Sequence, residues 1–71
     1  MTFSEMEFVI FCIEELAVEC QMSGQEMYQF LNEKTRIIQE YIIPNYEVLH
    51  SMGRDAIVED LQKFLLEIGG L

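Results

Sequence analysis

Twice within the first 26 residues a serine is followed three positions later by a glutamate, as Ser4 with Glu7 and Ser23 with Glu26. In this pattern each side chain satisfies a backbone N–H that the first turn of a helix would otherwise leave unpaired. Each pair is also bracketed by apolar residues at the spacing of a hydrophobic staple, Phe3 with Phe8 and Met22 with Met27. Two such start signals fix two helices and the break between them. They leave 71 residues too little room for anything larger than one helical domain, 1–71.

The first helix carries Met6, Val9, Ile13, Leu16 and Cys20 at helical spacing, and Ile10 and Ala17 widen that stripe into an expected core face. Phe8, Phe11 and Cys12 fall outside it, and a helix apolar over so much of its circumference is either central in its domain or docks something on its second face. After a short break at 21–23, a second helix is expected over 24–33, burying Met27, Phe30 and Leu31. Thr35 is placed to cap a third helix containing Ile37, Ile38, Tyr41 and Ile42, which Pro44 stops. Pro44 then opens one more short turn through Asn45, Tyr46, Glu47, Val48 and Leu49, ended by Gly53. A last helix is expected from residue 54 or 55 to 67, with Ile57, Leu61, Phe64, Leu65 and Ile68 inward and Glu59, Asp60 and Lys63 in water. Gly69 and Gly70 supply its left-handed termination. No segment alternates with strand period between hairpin turns. The expected fold class is therefore all-α, a small bundle of about four helices with one short extra helical turn.

Charge narrows the function classes. The chain has 13 acidic residues against 4 basic ones, a net charge of −9. Residues 1–33 hold seven glutamates and no basic residue, whereas 34–71 hold six acids with Lys34, Arg36, Arg54 and Lys63, giving −7 and −2. A field of this sign repels nucleic-acid phosphates and anionic membrane surfaces, and it attracts a basic protein partner. No apolar run approaches the ~20 residues of a membrane span, and no signal-peptide pattern is visible, so the expected location is cytoplasmic. Cys12 and Cys20 on one helix would stand ~12 Å apart, beyond disulfide reach, and no cysteine–histidine spacing suits a metal.

Catalytic chemistry finds little footing. His50 is the only histidine, and neighbouring Ser51 would point elsewhere on a helix, so His50 is expected to be half-buried and to bond a backbone carbonyl or a carboxylate near Gly53. The pairs Glu14/Glu15 and Glu59/Asp60 diverge by ~100° and cannot converge on one substrate. Glu15 and Glu19 share a face but lack an inward histidine and are read as a solvated stripe. No cofactor is implied, and the expectation is a protein that is not an enzyme. A helix-turn-helix-like reading of residues 23–43 supplies the alternative of a DNA-binding transcriptional regulator. Its reading helix would carry Lys34, Arg36, Gln39 and Glu40, a weak set for bases and phosphates.

The stretch Ile42-Ile-Pro-Asn-Tyr-Glu-Val-Leu-His50, continuing to Gly53 and Ile57-Val-Glu-Asp-Leu61, joins Phe8-Val-Ile-Phe-Cys-Ile-Glu-Glu15 and Ser23-Gly in a recognisable pattern. Over nearly the whole chain it resembles a family of short acidic bacterial proteins known only as a domain of unknown function. Asn45, Tyr46, Leu49, His50 and Gly53 match its most specific part. Members of that family are often encoded beside proteins resembling ADP-ribosyltransferase toxins, so the resemblance implies a small partner or antitoxin-like role and brings no catalytic residues. Residues and resemblance together lead to the expectation of a non-enzymatic protein-interaction module that binds a basic, toxin-like protein or itself as a homodimer. Its surface would join Phe8, Phe11 and Glu15 to Tyr46 and His50.

Overall fold

The computed structural model describes residues 1–68. Four α-helices run in chain order as α1 (Phe3–Glu19), α2 (Gly24–Lys34), α3 (Tyr46–Leu49) and α4 (Arg54–Glu67), with a π-helical turn at Ile38–Ile42 between α2 and α3. Among the described residues there is no strand, and the all-α expectation is met. α1 is the central element and packs against both α2 and α4. The expected termination by Gly69 and Gly70 lies outside the described residues.

Local chemistry accounts for each boundary. α2 begins as anticipated, with the Ser23 hydroxyl accepting from Glu26 N at 3.1 Å and the Glu26 carboxylate accepting from Ser23 N at 3.0 Å. α1 does not begin at Ser4. Its cap is Thr2, whose hydroxyl accepts from Glu5 N at 3.1 Å while the Glu5 carboxylate accepts from Thr2 N at 2.7 Å. Thr2 and Glu5 have the same three-residue spacing as Ser4 and Glu7, and starting earlier adds two residues of hydrogen-bonded helix. Phe3 therefore lies inside the helix, and the Phe3–Phe8 staple does not apply. At its other end α1 closes through Gln21, the only non-glycine residue with positive φ among those described (57°). Gln21 N donates to Val18 O and Met22 N to Ala17 O, the paired bonds of a Schellman termination.

The third expected helix is a single wide turn. Ile43 N donates to Ile38 O at 3.0 Å, a five-residue step, so the turn holds one residue more than an α-turn would. That extra residue lets Ile38 and Ile42 both reach the core while Tyr41 turns toward α4. Tyr41 stacks on Phe64 with ring centroids 4.6 Å apart, and its hydroxyl donates to the Asp60 carboxylate. Asp60 is thus half-buried and engaged, not in open water as its sequence position suggests. Thr35, the one buried polar residue among those described, closes the corner from α2. Its hydroxyl donates to Leu31 O at 2.6 Å and accepts from Ile37 N at 3.2 Å.

The core is built from Val9, Cys12, Ile13, Leu16 and Ala17 of α1, Met27 and Leu31 of α2, Ile37, Ile38 and Ile42 of the turn, and Ile57, Val58, Leu61 and Leu65 of α4. This revises the sequence expectation on α1. Cys12 is fully buried, whereas Met6 and Ile10, placed inward by periodicity, are 41% and 49% exposed. The buried arc is rotated away from these two residues toward Cys12 because α4 covers that side of α1, and the opposite edge is left open. Ile68, also expected inward, is exposed just past the end of α4, and Val58 joins the core in its place. Both cysteines are free thiols.

Candidate functional site

The five residues singled out from sequence come from two distant segments, and four of them meet. Phe8 and Phe11, on successive turns of α1, lie with ring centroids 6.2 Å apart. Phe8 meets Tyr46 edge to face at 5.5 Å, and Tyr46 stacks flat on His50 at 4.4 Å with ring planes 3° apart. The result is a continuous row of four rings, Phe11–Phe8–Tyr46–His50, crossing from α1 to the short α3. Phe8 and Tyr46 are half-buried and anchor the row, while Phe11 (37% exposed) and His50 form its open ends. Ring pairs of this geometry add roughly 0.5–1.5 kcal/mol each beyond area burial, which stiffens the row before anything binds it.

His50 bonds a backbone carbonyl, as expected, but it is exposed and not half-buried as its sequence setting suggested. Its Nδ1 lies 2.8 Å from Tyr46 O, and a carbonyl oxygen only accepts, so Nδ1 carries the proton and donates. Nε2 of the neutral ring is then an acceptor. The remaining motif residues shape the turn. Asn45 Nδ2 donates to Tyr41 O at 2.8 Å, its own carbonyl accepts from Leu49 N at 2.9 Å, Leu49 is buried, and extended Gly53 starts α4. Beside Tyr46 a cleft of about 360 Å³ opens between the N-terminus of α1 and residues 43–48, with Glu5 and Glu47 among its walls. Glu5 sits below the ordinary carboxylate range, chiefly because the Thr2 backbone N–H bonds its charged form.

Glu15 also has a partner within the chain. Its carboxylate lies 3.6 Å from the Arg54 guanidinium, which also approaches Glu19 at 3.9 Å and Asp55 at 2.9 Å. Arg54 thus bridges the α1 glutamates to the start of α4. The pair Glu15 and Glu19, read as a solvated stripe, is a two-pronged tie between helices, and sequence offered no signal for a partner 39 positions beyond Glu15. Glu7 and Glu14 remain exposed on the outer face of α1. Residues 23–43 form α2 and the π-turn, so the second helix of a helix-turn-helix is replaced by five residues. Two of these are buried, and Glu40 is paired with Arg36 at 2.9 Å. Among the described residues no group of three metal-ligating side chains converges, and no helix is long and apolar enough to cross a membrane.

These features define a small all-α bundle with an aromatic row on an acidic surface. The chain belongs to the family described as Protein of unknown function (DUF3791), whose model matches residues 7–67 and so spans all five singled-out residues. No curated protein and no solved structure matches it.

Proposed function

We propose that this chain is a non-enzymatic protein-interaction module whose aromatic row binds a basic protein partner, in the manner of an antitoxin that covers a neighbouring toxin. The carrying observation is the row itself, four rings in contact across two elements. Two of its rings lie in a 33-residue stretch with seven glutamates and no basic side chain. Aromatic side chains fixed in advance supply contact area at little entropic cost and dominate interface energetics. The surrounding glutamates accelerate encounter with a positively charged surface without contributing much to final affinity. A partner whose substrate cleft is basic would be inhibited by simple occlusion.

Calorimetric titration with the purified product of the adjacent gene tests this reading. Phe11→Asp places a charge at the open end of the row without touching the core. It should weaken binding by about 2 kcal/mol or more, roughly thirtyfold in Kd. Unchanged affinity removes the row from the interface.

A further inference from the structure

The opposite flank of α1 carries an apolar surface that the aromatic row does not use. Phe3, Met6 and Ile10 follow one another at i, i+3 and i+7 and so share one face over two helical turns. Phe3 is 71% exposed, Met6 and Ile10 are open as described above, and Tyr28 of α2 is 48% exposed. Where α2 meets this flank, a cleft of about 320 Å³ is lined by Ile10, Ile13, Glu14, Gly24, Gln25 and Tyr28. Gly24 leaves its side of that cleft open, since a Cβ there would meet nothing within 4 Å. The size is at the lower end of the range of about 300–1,000 Å³ for ligand sites, suited to side chains entering from outside. Scattered exposed apolar residues need no explanation, but three in register beside an apolar cleft form a continuous patch.

We propose that this flank and its cleft form a second docking surface, one that takes an amphipathic helix of a partner protein whose apolar ridge is bordered by lysine or arginine. The occupant's side of such a contact is a helix that presents apolar residues at i, i+3, i+4 and i+7, long enough to lie along the α1 stripe and reach the cleft. Charge selects the occupant. Glu7 and Glu14 border the stripe along α1, and no basic residue occurs in the 33 residues that supply both walls. A second copy of the chain would bring the same carboxylates face to face and double a net charge of −9. Like charges across an interface oppose association, whereas a cationic helix relieves the repulsion already present on this surface. The proposal concerns a different flank from the aromatic row and stands or falls separately from it.

The test titrates the isotopically labelled full chain with a synthetic leucine–lysine amphipathic helix of ~18 residues, about 27 Å long. Saturable binding is expected, with the largest amide shifts at Met6, Ile10, Gln25 and Tyr28. The double variant Met6→Gln, Ile10→Gln keeps helix-compatible residues at exposed positions and should retain the helical circular dichroism while weakening binding at least ~tenfold. A leucine–glutamate peptide of the same pattern should not bind. Phe11→Gln, which adds no charge, should leave the peptide's affinity unchanged, which separates this surface from the aromatic row. The proposal is overturned if the shifts fall on Phe8, Phe11 and Tyr46, if the double variant binds as well as the parent, or if the acidic peptide binds equally. It is also overturned if sedimentation equilibrium finds a dimer of the free chain that the double variant dissociates, since a second copy would then own the stripe.

Discussion

Replacing Thr35 by valine changes one buried hydroxyl into a methyl of nearly the same size, so packing is left intact and two hydrogen bonds are lost. The hydroxyl bridges the last turn of α2 and the start of the π-turn, donating to Leu31 O at 2.6 Å and accepting from Ile37 N at 3.2 Å. Each bond contributes about 0.5–1.5 kcal/mol net, and a buried backbone group left without a partner costs about 1–3 kcal/mol. Leu31 and Ile37 are fully buried, so water reaches neither orphaned group readily. The expected loss is about 2–4 kcal/mol. A chain of this length is stable by roughly 4–11 kcal/mol at ~0.05–0.15 kcal/mol per residue, so this one atom carries a large share of the total. At ~4–8 °C per kcal/mol the midpoint of thermal unfolding should fall by about 8–32 °C.

The assay is urea unfolding followed by circular dichroism, with the slope of the transition checked for constancy so that the shift reports stability alone. Thr35→Ser is the matched control. It keeps the hydroxyl and loses a methyl, and it should cost about 1 kcal/mol. Thr35→Val within ~0.5 kcal/mol of the parent, or Thr35→Ser as damaging as valine, would refute the view that these bonds hold the corner.

Three further perturbations probe other parts of the fold. Thr2→Ala and Ser23→Ala should each cost about 1 kcal/mol by urea unfolding, whereas Ser4→Ala should be neutral or slightly stabilising. The reverse order for Thr2 and Ser4 would move the start of α1. Gln21→Gly should stabilise by a few tenths to about 1 kcal/mol, because glycine occupies the left-handed position without strain. A loss of stability there would mean that the Gln21 side chain makes a contribution of its own. Stability should decline in the alkaline range. Tyr41 is pushed up to about 12, first by its hydrogen bond to Asp60 and then by burial, and burial pushes the Cys12 thiol up to about 12. A raised native value favours the protonated form in the fold, so the contribution is whole below the ordinary values near 9 and 10 and is lost as pH climbs toward 12. Tyr41→Phe should flatten the tyrosine part of that decline in pH-dependent melting, and an unaltered slope would refute the coupling.

What the sequence revealed follows the range of the interactions involved. Ser23 and Glu26 declare α2 because both partners lie within one turn, and Pro44 marks a boundary through a backbone restriction that no neighbour can undo. Thr2 and Ser4 offered two local solutions of identical spacing, and only the whole helix chooses between them. The break at 21–23 was legible, but the left-handed residue that makes it, Gln21, was not, because glutamine replaces the glycine that usually advertises it. The π-turn was hidden for a stronger reason, since Ile37, Ile38, Tyr41 and Ile42 satisfy a helical pattern whichever step the hydrogen bonds take. At the aromatic row, residue types pointed to Phe8 and Tyr46 separately, and their contact is a tertiary fact. The tie between Glu15 and Arg54 is tertiary as well, and Glu15 on its own looks like any solvated glutamate.

The wide turn at Ile38–Ile42 bears on how this fold can vary in length. One surplus residue there sets the rotational phase of everything downstream, so Asn45 bonds back to Tyr41 and Tyr46 arrives beneath Phe8. Removing a single position would tighten the coil to an ordinary α-turn and swing the following segment by ~100° around its axis. Isoleucines would then point where the tyrosine now does, and the ring array would come apart although every residue composing it was still present. Insertions and deletions should therefore be tolerated at the exposed break around Gln21 and excluded from this corner.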